Sequence, residues 1–307
     1  MAAAISSSPY LSWHIPAELL ESEAVENRNA FARHFEHAPL AQILETYTKL
    51  DLARAKKLIA AGERAVLPEP LRGRGLELGA GTALLSSALA LRPEIGEIYA
   101  VEVVPEMVRL IQKRVVEDLL PPSAQAKVRR TRGSFDHLEL PDDSADFVLE
   151  LASWHHSDDL AGSLAEAARV LRIGGVVLAF DRIQPDSLTD QGVDALLDRV
   201  YESHFLERMG YPPGITLTRR MNGEHEYRRR EWLAAFEAAG FRLLGMKELE
   251  RAAEPPLRSL ARLAGLGADR PKTGSPAYEL RLWASQLRRR ALTSPVRTTA
   301  IGLVKAR

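Results

Sequence analysis

The chain has 307 residues, and its 41 lysines and arginines balance its 41 aspartates and glutamates, so its formal net charge is zero. This balance provides no general attraction to nucleic acid or to an anionic membrane. The absence of cysteine excludes disulfides, thiolate nucleophiles, cysteine zinc sites and iron–sulfur clusters. No apolar run reaches the length of a membrane span, and no lysine or arginine precedes Arg28. We therefore expect a cytoplasmic protein, and its 46% hydrophobic content is enough for a large core.

The first part of the chain predicts helices. From about residue 16 to residue 61, apolar side chains recur at helical spacing. Gly62 is expected to end the last of these helices, and Pro68 and Pro70 mark a linker. We assign residues 1–65 to an N-terminal helical cap and residues 66–307 to the main domain.

Strand and helix patterns alternate through the main domain. Five short runs predict strands, in chain order GLELG, EIYAVEV, AKVRRTRGS, ADFVLELA and GVVLAFD. A helix pattern, DLAGSLAEAARVLRIGG, precedes the last of them and is expected to close at its glycines. Later, FRLLGMKEL and VRTTAIGLVKA predict two further strands. The alternation predicts an α/β fold with a doubly wound, seven-stranded, mostly parallel sheet.

Two segments interrupt this alternation and are expected to be helical insertions, at about residues 184–228 and 252–295. The helical part of the second insertion, residues 255–292, is compatible with pairing to another subunit in a homodimer. A helix packed on its own domain would have the same sequence pattern.

A glycine loop follows the first predicted strand of the main domain. The stretch GLELGAGTALL places Gly79 and Gly81 directly after that strand, at the end where open α/β sheets bind their ligands. The dinucleotide fingerprint G-x-G-x-x-G requires a third glycine, but Leu84 stands in its place. The loop therefore favours an adenosine-carrying cofactor other than a dinucleotide.

A different pattern fits this loop. Glu77, Gly79, Gly81 and Ala83 form an acid–x–Gly–x–Gly–x–small series, which resembles motif I of the class I S-adenosylmethionine (SAM) dependent methyltransferases. The resemblance implies that the loop backbone approaches the methionyl part of SAM, whose ammonium group favours a nearby carboxylate. Ala83 stands where the family usually has its third glycine.

Three further segments resemble the same family in the same order. In IYAVEVVPEMV, Glu102 ends the second predicted strand, where the family's acid accepts hydrogen bonds from the ribose hydroxyls. In RGSFDHLELPDDSADFVL, Ser134 stands where an aspartate often reaches the adenine amino group, and Phe135 where a backbone amide meets the ring. The third segment, LASWHHSDDLAGSLAEAARVLRIGGVVLAF, is similar to the family's Leu-His-His and Arg-Val-Leu-x-x-Gly-Gly passage, with Trp154 in the leucine position.

The resemblance covers residues 75–181 and, more weakly, residues 231–241. It implies SAM as the cofactor. The implied cofactor-binding residues are Glu77, Gly79, Ala80, Gly81, Glu102, Val103, Gly133, Ser134, Phe135 and Leu151.

Candidates for proton transfer follow the fourth predicted strand. A hydroxyl or enol acceptor benefits from a general base, and histidine is suited to this role near neutral pH. His155 and His156 lie beside the expected position of the methyl group; the alternative is that they serve loop or helix-cap packing. The third candidate is His225, whose charged form would be favoured by Glu224 and Glu226 on either side.

The family builds its acceptor pocket from insertions over the open sheet edge, so the first insertion is expected to contact the substrate. The N-terminal helices, which carry Tyr47, are expected to cap the pocket. The expected substrate-binding residues are Trp154, Tyr201, His204, Tyr211 and Arg219. The alternative for the segment around His225 is a solvated turn before the next helix.

The sequence predicts transfer of a methyl group from SAM to an oxygen, nitrogen or carbon atom of a small organic acceptor, by in-line displacement. No metal is expected, because Asp181 is followed by Arg182 and not by the asparagine of the metal-dependent type. Nucleic-acid and membrane partners are not expected. Three alternatives stay open: a SAM-dependent cyclisation or non-methyl transfer, a NAD(P) oxidoreductase, and a non-catalytic SAM-binding protein.

Overall fold

A computed structural model describes residues 10–211, 214–249 and 298–306. Its first helices are separate rather than continuous, with bounds α1 Ala17–Leu20, α2 Glu23–His34, α3 Leu40–Tyr47 and α4 Leu52–Val66. Two of them begin at capping side chains, because Ser22 accepts from the Val25 N–H and Asp51 from the Arg54 N–H.

The predicted helix end at Gly62 is wrong, because this glycine lies inside α4. A Cβ atom at Gly62 would lie 2.5 Å from the Phe180 ring. The glycine therefore lets α4 approach the sheet closely, which offsets its low helix propensity.

Among the described residues the sheet has eight strands instead of the predicted seven, in the order β1-β4-β3-β2-β5-β6-β8-β7. The strands are β1 Leu11–Ser12, β2 Gly73–Leu78, β3 Ile95–Glu102, β4 Val128–Arg132, β5 Ala145–Leu151, β6 Leu171–Arg182, β7 Phe241–Leu249 and β8 Thr298–Lys305. The pairs β1–β4, β4–β3, β3–β2, β2–β5 and β5–β6 are parallel, as predicted for a doubly wound α/β fold.

The additional strand is the two-residue β1. Leu11 pairs with Thr131, Ser12 pairs with Arg132, and the Trp13 N–H donates to the Arg132 carbonyl over 2.8 Å. Two residues are too few to show a strand periodicity. The strand forms because β4 would otherwise leave a row of unpaired backbone groups at the edge of the sheet.

Helices connect the strands on both sides. They are α5 Leu84–Ala90, a π-helix Met107–Gln112, α6 Lys113–Leu119, α7 Pro122–Gln125, a 3₁₀-helix Trp154–His156, α8 Leu160–Val170, α9 Asp190–Leu197, α10 Ser203–Arg208 and α11 Arg229–Ala238. The prediction that α8 closes at glycine is wrong. Leu171 already has extended backbone angles and pairs with Ala145 as the first residue of β6.

The central strands are buried on both faces, as expected of parallel strands covered by helices. Leu76, Leu78, Val148 and Val177 are fully buried in one apolar cluster. This arrangement fixes the positions of the loops that leave the carboxyl ends of β2 to β5.

The chain divides into two compact units, residues 1–247 with 299–307, and residues 248–298. The second predicted insertion, residues 252–295, lies outside the described residues. No helix in the described ranges is both long enough and apolar enough to cross a membrane.

Candidate active site

The glycine loop after β2 has a backbone that requires small residues. Gly79 and Gly81 have φ angles of +62° and +48°, a region that side chains disfavour. A Cβ atom at Gly79 would collide with Ser153, and one at Gly81 would lie 2.7 Å from Tyr47 Cε1. Ala83 also has a positive φ, of 58°. The loop backbone therefore runs in close contact with Ser153 on one side and Tyr47 on the other.

Glu102 at the end of β3 holds this loop. Its Oε2 accepts from the Gly81 N–H over 2.8 Å, and its Oε1 accepts from the Val104 N–H over 3.0 Å. Burial raises the pKa of Glu102, although these two N–H groups and the charge of Arg28 oppose the shift. The carboxylate ends at a cavity and keeps free acceptor capacity there.

This cavity of about 680 Å³ lies at the carboxyl ends of β2 to β5. Six of the ten predicted cofactor-binding residues line it: Gly79, Glu102, Val103, Gly133, Ser134 and Phe135. The other four, Glu77, Ala80, Gly81 and Leu151, are not part of its lining. The volume is within the usual range of small-molecule sites.

Glu77 has a different place from the predicted one beside the methionyl ammonium. Its carboxylate accepts from the Ser86 N–H over 2.7 Å and from the Ser86 hydroxyl. Burial raises the pKa of Glu77 to about 7, against the opposing effect of these hydrogen bonds. The side chain therefore anchors the first turn of α5 behind the loop, because it accepts from an N–H that has no partner within the helix.

Asp136 is a cavity residue that the sequence analysis did not identify. The Ser134 hydroxyl donates to Asp136 Oδ2 over 3.0 Å, and the Ser163 hydroxyl donates to Oδ1. The Ser134 proton is therefore directed at the carboxylate and not into the cavity. The sequence feature that could have identified Asp136 is its place directly after Phe135, two residues from Ser134.

The two adjacent histidines have different surroundings. His155 is buried outside the cavity lining, with Nδ1 at 2.7 Å from Asp181 Oδ1 and its backbone N–H donating to Asp181 Oδ2. Burial alone would raise the pKa of Asp181, but the charge and hydrogen bond of His155 lower it. His156, whose ring lies 4.4 Å from that of His155, lines the cavity.

The hydrogen bonds of His156 define its tautomer. Its Nδ1 lies 2.8 Å from the Gly223 carbonyl, which can only accept, so Nδ1 carries the proton. Its Nε2 lies 3.1 Å from Arg28 Nη2, which can only donate. Burial lowers the pKa of His156 well below its ordinary value, and the positive charges of His155 and Arg28 add to this effect. The ring is therefore a neutral acceptor at physiological pH.

Arg28 and Tyr47 close the cavity from the N-terminal helices. Arg28 lies on α2 and Tyr47 ends α3, and the positive charge of Arg28 acts on the Tyr47 hydroxyl. Burial raises the pKa of Tyr47, and the charge of Glu102 raises it further. Sequence reasoning did not identify Arg28, because helical spacing alone does not show which face of α2 points toward the sheet.

The first insertion contains a buried ionic cluster and not a solvated turn. Glu224 accepts from Arg182 over 2.8 Å, from Arg219 over 2.9 Å, and from the Tyr201 hydroxyl. Glu226 forms an ion pair of 2.5 Å with Arg219. These contacts hold the loop that presents the Gly223 carbonyl to His156.

None of the five predicted substrate-binding residues lines this cavity. Tyr201 and Arg219 belong to the ionic cluster, Trp154 is fully buried in the core, and the side chain of His204 is 71% exposed. Tyr211 is half-buried, and burial raises its pKa. Its backbone N–H donates to the Leu206 carbonyl over 3.0 Å.

His225 is likewise outside the cavity lining. Its Nε2 lies 2.9 Å from Asp158 Oδ1, and its backbone N–H donates to the His155 carbonyl over 2.7 Å. Glu224 and Glu226, which were expected to act on His225, pair with Arg182 and Arg219 instead. His225 therefore positions the histidine loop from behind. The described residues contain no group of three or more histidine, aspartate or glutamate side chains that could hold a metal ion.

The fold and the glycine loop are those expected of the class I SAM-dependent methyltransferases that the sequence resembles, and comparison with known proteins supports a methyltransferase domain. Residues 76–179 match the methyltransferase domain family. Over these residues the chain is similar to a methyltransferase domain.

Curated relatives share this domain over part of their length. The chain is 32% identical over 124 residues to the uncharacterized methyltransferase YcgJ of Bacillus subtilis, which covers 40% of this chain and 46% of the relative. It is 36% identical over 110 residues to an uncharacterized methyltransferase of Mycobacterium tuberculosis, covering 36% of this chain and 40% of the relative. The matching part thus spans less than half of these relatives.

Solved structures share the fold at low sequence identity. The [4+2]-cyclase SpnF is 16% identical, with a TM-score of 0.54, and the alignment covers 91% of this chain and 96% of that one. A geranyl diphosphate methyltransferase solved with geranyl diphosphate and sinefungin is 13% identical, with a TM-score of 0.53 and coverage of 91% and 99%.

Proposed function

We propose that this protein binds SAM in the cavity and transfers its methyl group to an oxygen, nitrogen or carbon atom of a small organic acceptor. The observation that supports this best is the glycine loop held by Glu102 at the floor of a ligand-sized cavity. A methyltransferase of the same fold has been solved in complex with SAM.

The residues present fit SAM. Gly79 and Gly81 have no side chains, so the loop backbone is accessible to a ligand in the space between Ser153 and Tyr47. Each carboxylate oxygen of Glu102 accepts one backbone N–H and can accept another donor, such as a ribose hydroxyl. Asp136 supplies a carboxylate near Ser134, where the resemblance implies the adenine ring.

When bound, SAM supplies an electrophilic methyl group attached to a sulfonium. The chain's own contribution is to align the acceptor and exclude water, and alignment alone can supply about 7–11 kcal/mol of barrier reduction. The neutral His156 is the base candidate within the cavity, because its Nε2 is an acceptor. Taking a proton at that atom requires Arg28 to withdraw its own hydrogen bond first.

Direct binding tests the cofactor. Calorimetric titration with SAM, S-adenosylhomocysteine and NAD⁺ should show micromolar binding of the first two and none of the third. Binding of NAD⁺ alone would overturn the proposal in favour of an oxidoreductase.

Glu102→Ala should weaken SAM binding about tenfold to a hundredfold, because a hydrogen bond to a charged group contributes about 1.5–3 kcal/mol. The matched control is Glu97→Ala on the same strand, whose carboxylate pairs with Arg74 and Arg129 at the surface. Unchanged affinity in a folded Glu102→Ala protein would contradict the placement of the ribose.

The reaction products separate methyl transfer from the alternative use of SAM. Methyl transfer leaves S-adenosylhomocysteine, whereas aminocarboxypropyl transfer or intramolecular cyclisation leaves methylthioadenosine. Mass spectrometry after incubation with a panel of small acceptors distinguishes the two. If His155→Ala and His156→Ala both retain full turnover, neither histidine is the base.

A further inference from the structure

Arg28 lines the cavity and, unlike the other arginine there, has only uncharged hydrogen-bond partners. Its Nη1 donates to the Ala24 carbonyl over 3.1 Å and its Nη2 donates to His156 Nε2 over 3.1 Å, and it interacts with the Tyr47 hydroxyl, whose pKa it lowers against the effect of burial. A carbonyl, a neutral imidazole and a protonated phenol carry no charge. All three partners therefore leave the positive charge of the guanidinium uncompensated.

The other arginine in the lining does not share this property. Arg169 pairs with Glu166 and Asp142, each at 2.7 Å. Within residues 10–211, 214–249 and 298–306, no carboxylate comes within ion-pair distance of Arg28. Glu102 interacts with it only through space and is already bound to two backbone N–H groups. A half-buried cation in this state is complementary to an anion from outside.

We propose that Arg28 holds a carboxylate group of the ligand that enters the cavity, an inference that rests on the function proposed above. The guanidinium fork matches the two oxygens of a carboxylate. A polyanion does not suit the site, since five carboxylates also belong to the lining: Glu102, Asp136, Asp158, Asp159 and Glu166. One arginine without an ion pair, surrounded by these acids, favours a ligand with a single carboxylate and a positive charge elsewhere.

Two ligands could bring such a carboxylate. Tyr47, the partner of Arg28, lies against Gly81 of the glycine loop, so the amino-acid part of SAM is within reach. His156, the other partner, follows β5, beside the position where the sequence predicts the transferred methyl group. The chemistry is the same in both cases, and the choice of ligand in the experiment separates them.

The first arm compares S-adenosylhomocysteine with methylthioadenosine, which lacks the whole amino-acid part. Both are titrated into the wild-type protein, into Arg28→Met, and into the control Arg33→Met. Arg33 lies on the same helix, is 47% exposed and pairs with Glu26. A loss of about tenfold or more for S-adenosylhomocysteine in Arg28→Met alone, with methylthioadenosine changed less than about twofold, assigns the carboxylate to the cofactor.

The second arm tests the acceptor. Proteins saturated with S-adenosylhomocysteine are titrated with acetate and with acetamide, its uncharged counterpart. Binding of acetate to the wild type and Arg33→Met but not to Arg28→Met, with no binding of acetamide, assigns the carboxylate to the acceptor. If neither arm distinguishes Arg28→Met from the wild type, the proposal is overturned.

Failure of the proposed function gives a different result. In that case the wild-type protein binds neither S-adenosylhomocysteine nor methylthioadenosine. The acetate titration, repeated without nucleoside, then tests Arg28 by itself: Arg28-dependent binding of acetate supports the carboxylate site, and its absence overturns it. Arg28→Lys should retain part of the affinity, because it keeps the charge but loses the fork.

Discussion

Replacing the buried Glu77 by glutamine should remove a pH dependence of folding. In the unfolded chain this carboxyl ionises near its ordinary pKa of 4.5, whereas burial raises its pKa in the folded protein to about 7. Between these two values the folded state keeps a proton that the unfolded state has lost. The contribution of Glu77 to stability is therefore fully present below pH 4.5 and is lost as the pH rises to about 7.

The size of this effect follows from the two pKa values. Each pKa unit corresponds to about 1.4 kcal/mol, so the free energy of unfolding should fall by about 3 kcal/mol across the window. Glutamine is neutral throughout, and its amide oxygen can still accept from the Ser86 N–H and hydroxyl. Relative to the wild type, Glu77→Gln should therefore become more stable as the pH rises.

Chemical denaturation followed by circular dichroism, at several values from about pH 5 to about pH 8, measures this difference. Glu45→Gln is the control, because the Glu45 side chain is 64% exposed. If the curves of stability against pH for the wild type and Glu77→Gln run parallel, Glu77 does not hold a proton in the folded state and the reasoning is refuted.

Two glycine substitutions separate a binding effect from a packing effect. Gly79→Ala should weaken SAM binding tenfold or more while the protein stays folded, because φ is +62° and the new methyl group meets Ser153. A residue with a side chain pays about 1–2 kcal/mol for a left-handed backbone conformation. Unchanged affinity would contradict the role of the loop. Gly302→Ala should lower the melting temperature by several degrees, because its Cβ would collide with the Val66 backbone and overpacking costs about 1–3 kcal/mol. Gly96→Ala is the control, because the nearest atom to its Cβ would be 3.8 Å away. An equal drop in melting temperature for Gly302→Ala and Gly96→Ala would count against the packing argument.

The sequence was informative where a local pattern determines the structure. Short apolar runs and period-3.6 patterns predicted the α/β alternation, since strands buried on both faces have apolar runs between the helices. The positions of Gly79 and Glu102 followed from their places at strand ends, where parallel strands bring loops together. Both residues line the cavity.

The predictions that were wrong concern residues whose positions depend on tertiary contacts. Trp154 was expected near the substrate, but its ring is buried in the core. Arg219 was expected in the pocket, but two buried glutamates bind it. The strand at Leu11 exists only because β4 has an open edge. Arg28 is more than a hundred residues from its partner His156, a separation at which no local pattern relates two side chains.

The cavity walls come from two different parts of the chain. Its floor, from Gly79 to Arg169, falls within the residues 76–179 that match the family. Its cover comes from outside that range, from α1 to α3 and from the loop at Gly223. Under the function proposed above, changes in the cover can therefore alter which acceptor is admitted while the sheet and the glycine loop stay the same. Such a division allows one cofactor platform to serve different substrates, with the N-terminal helices as the exchangeable part.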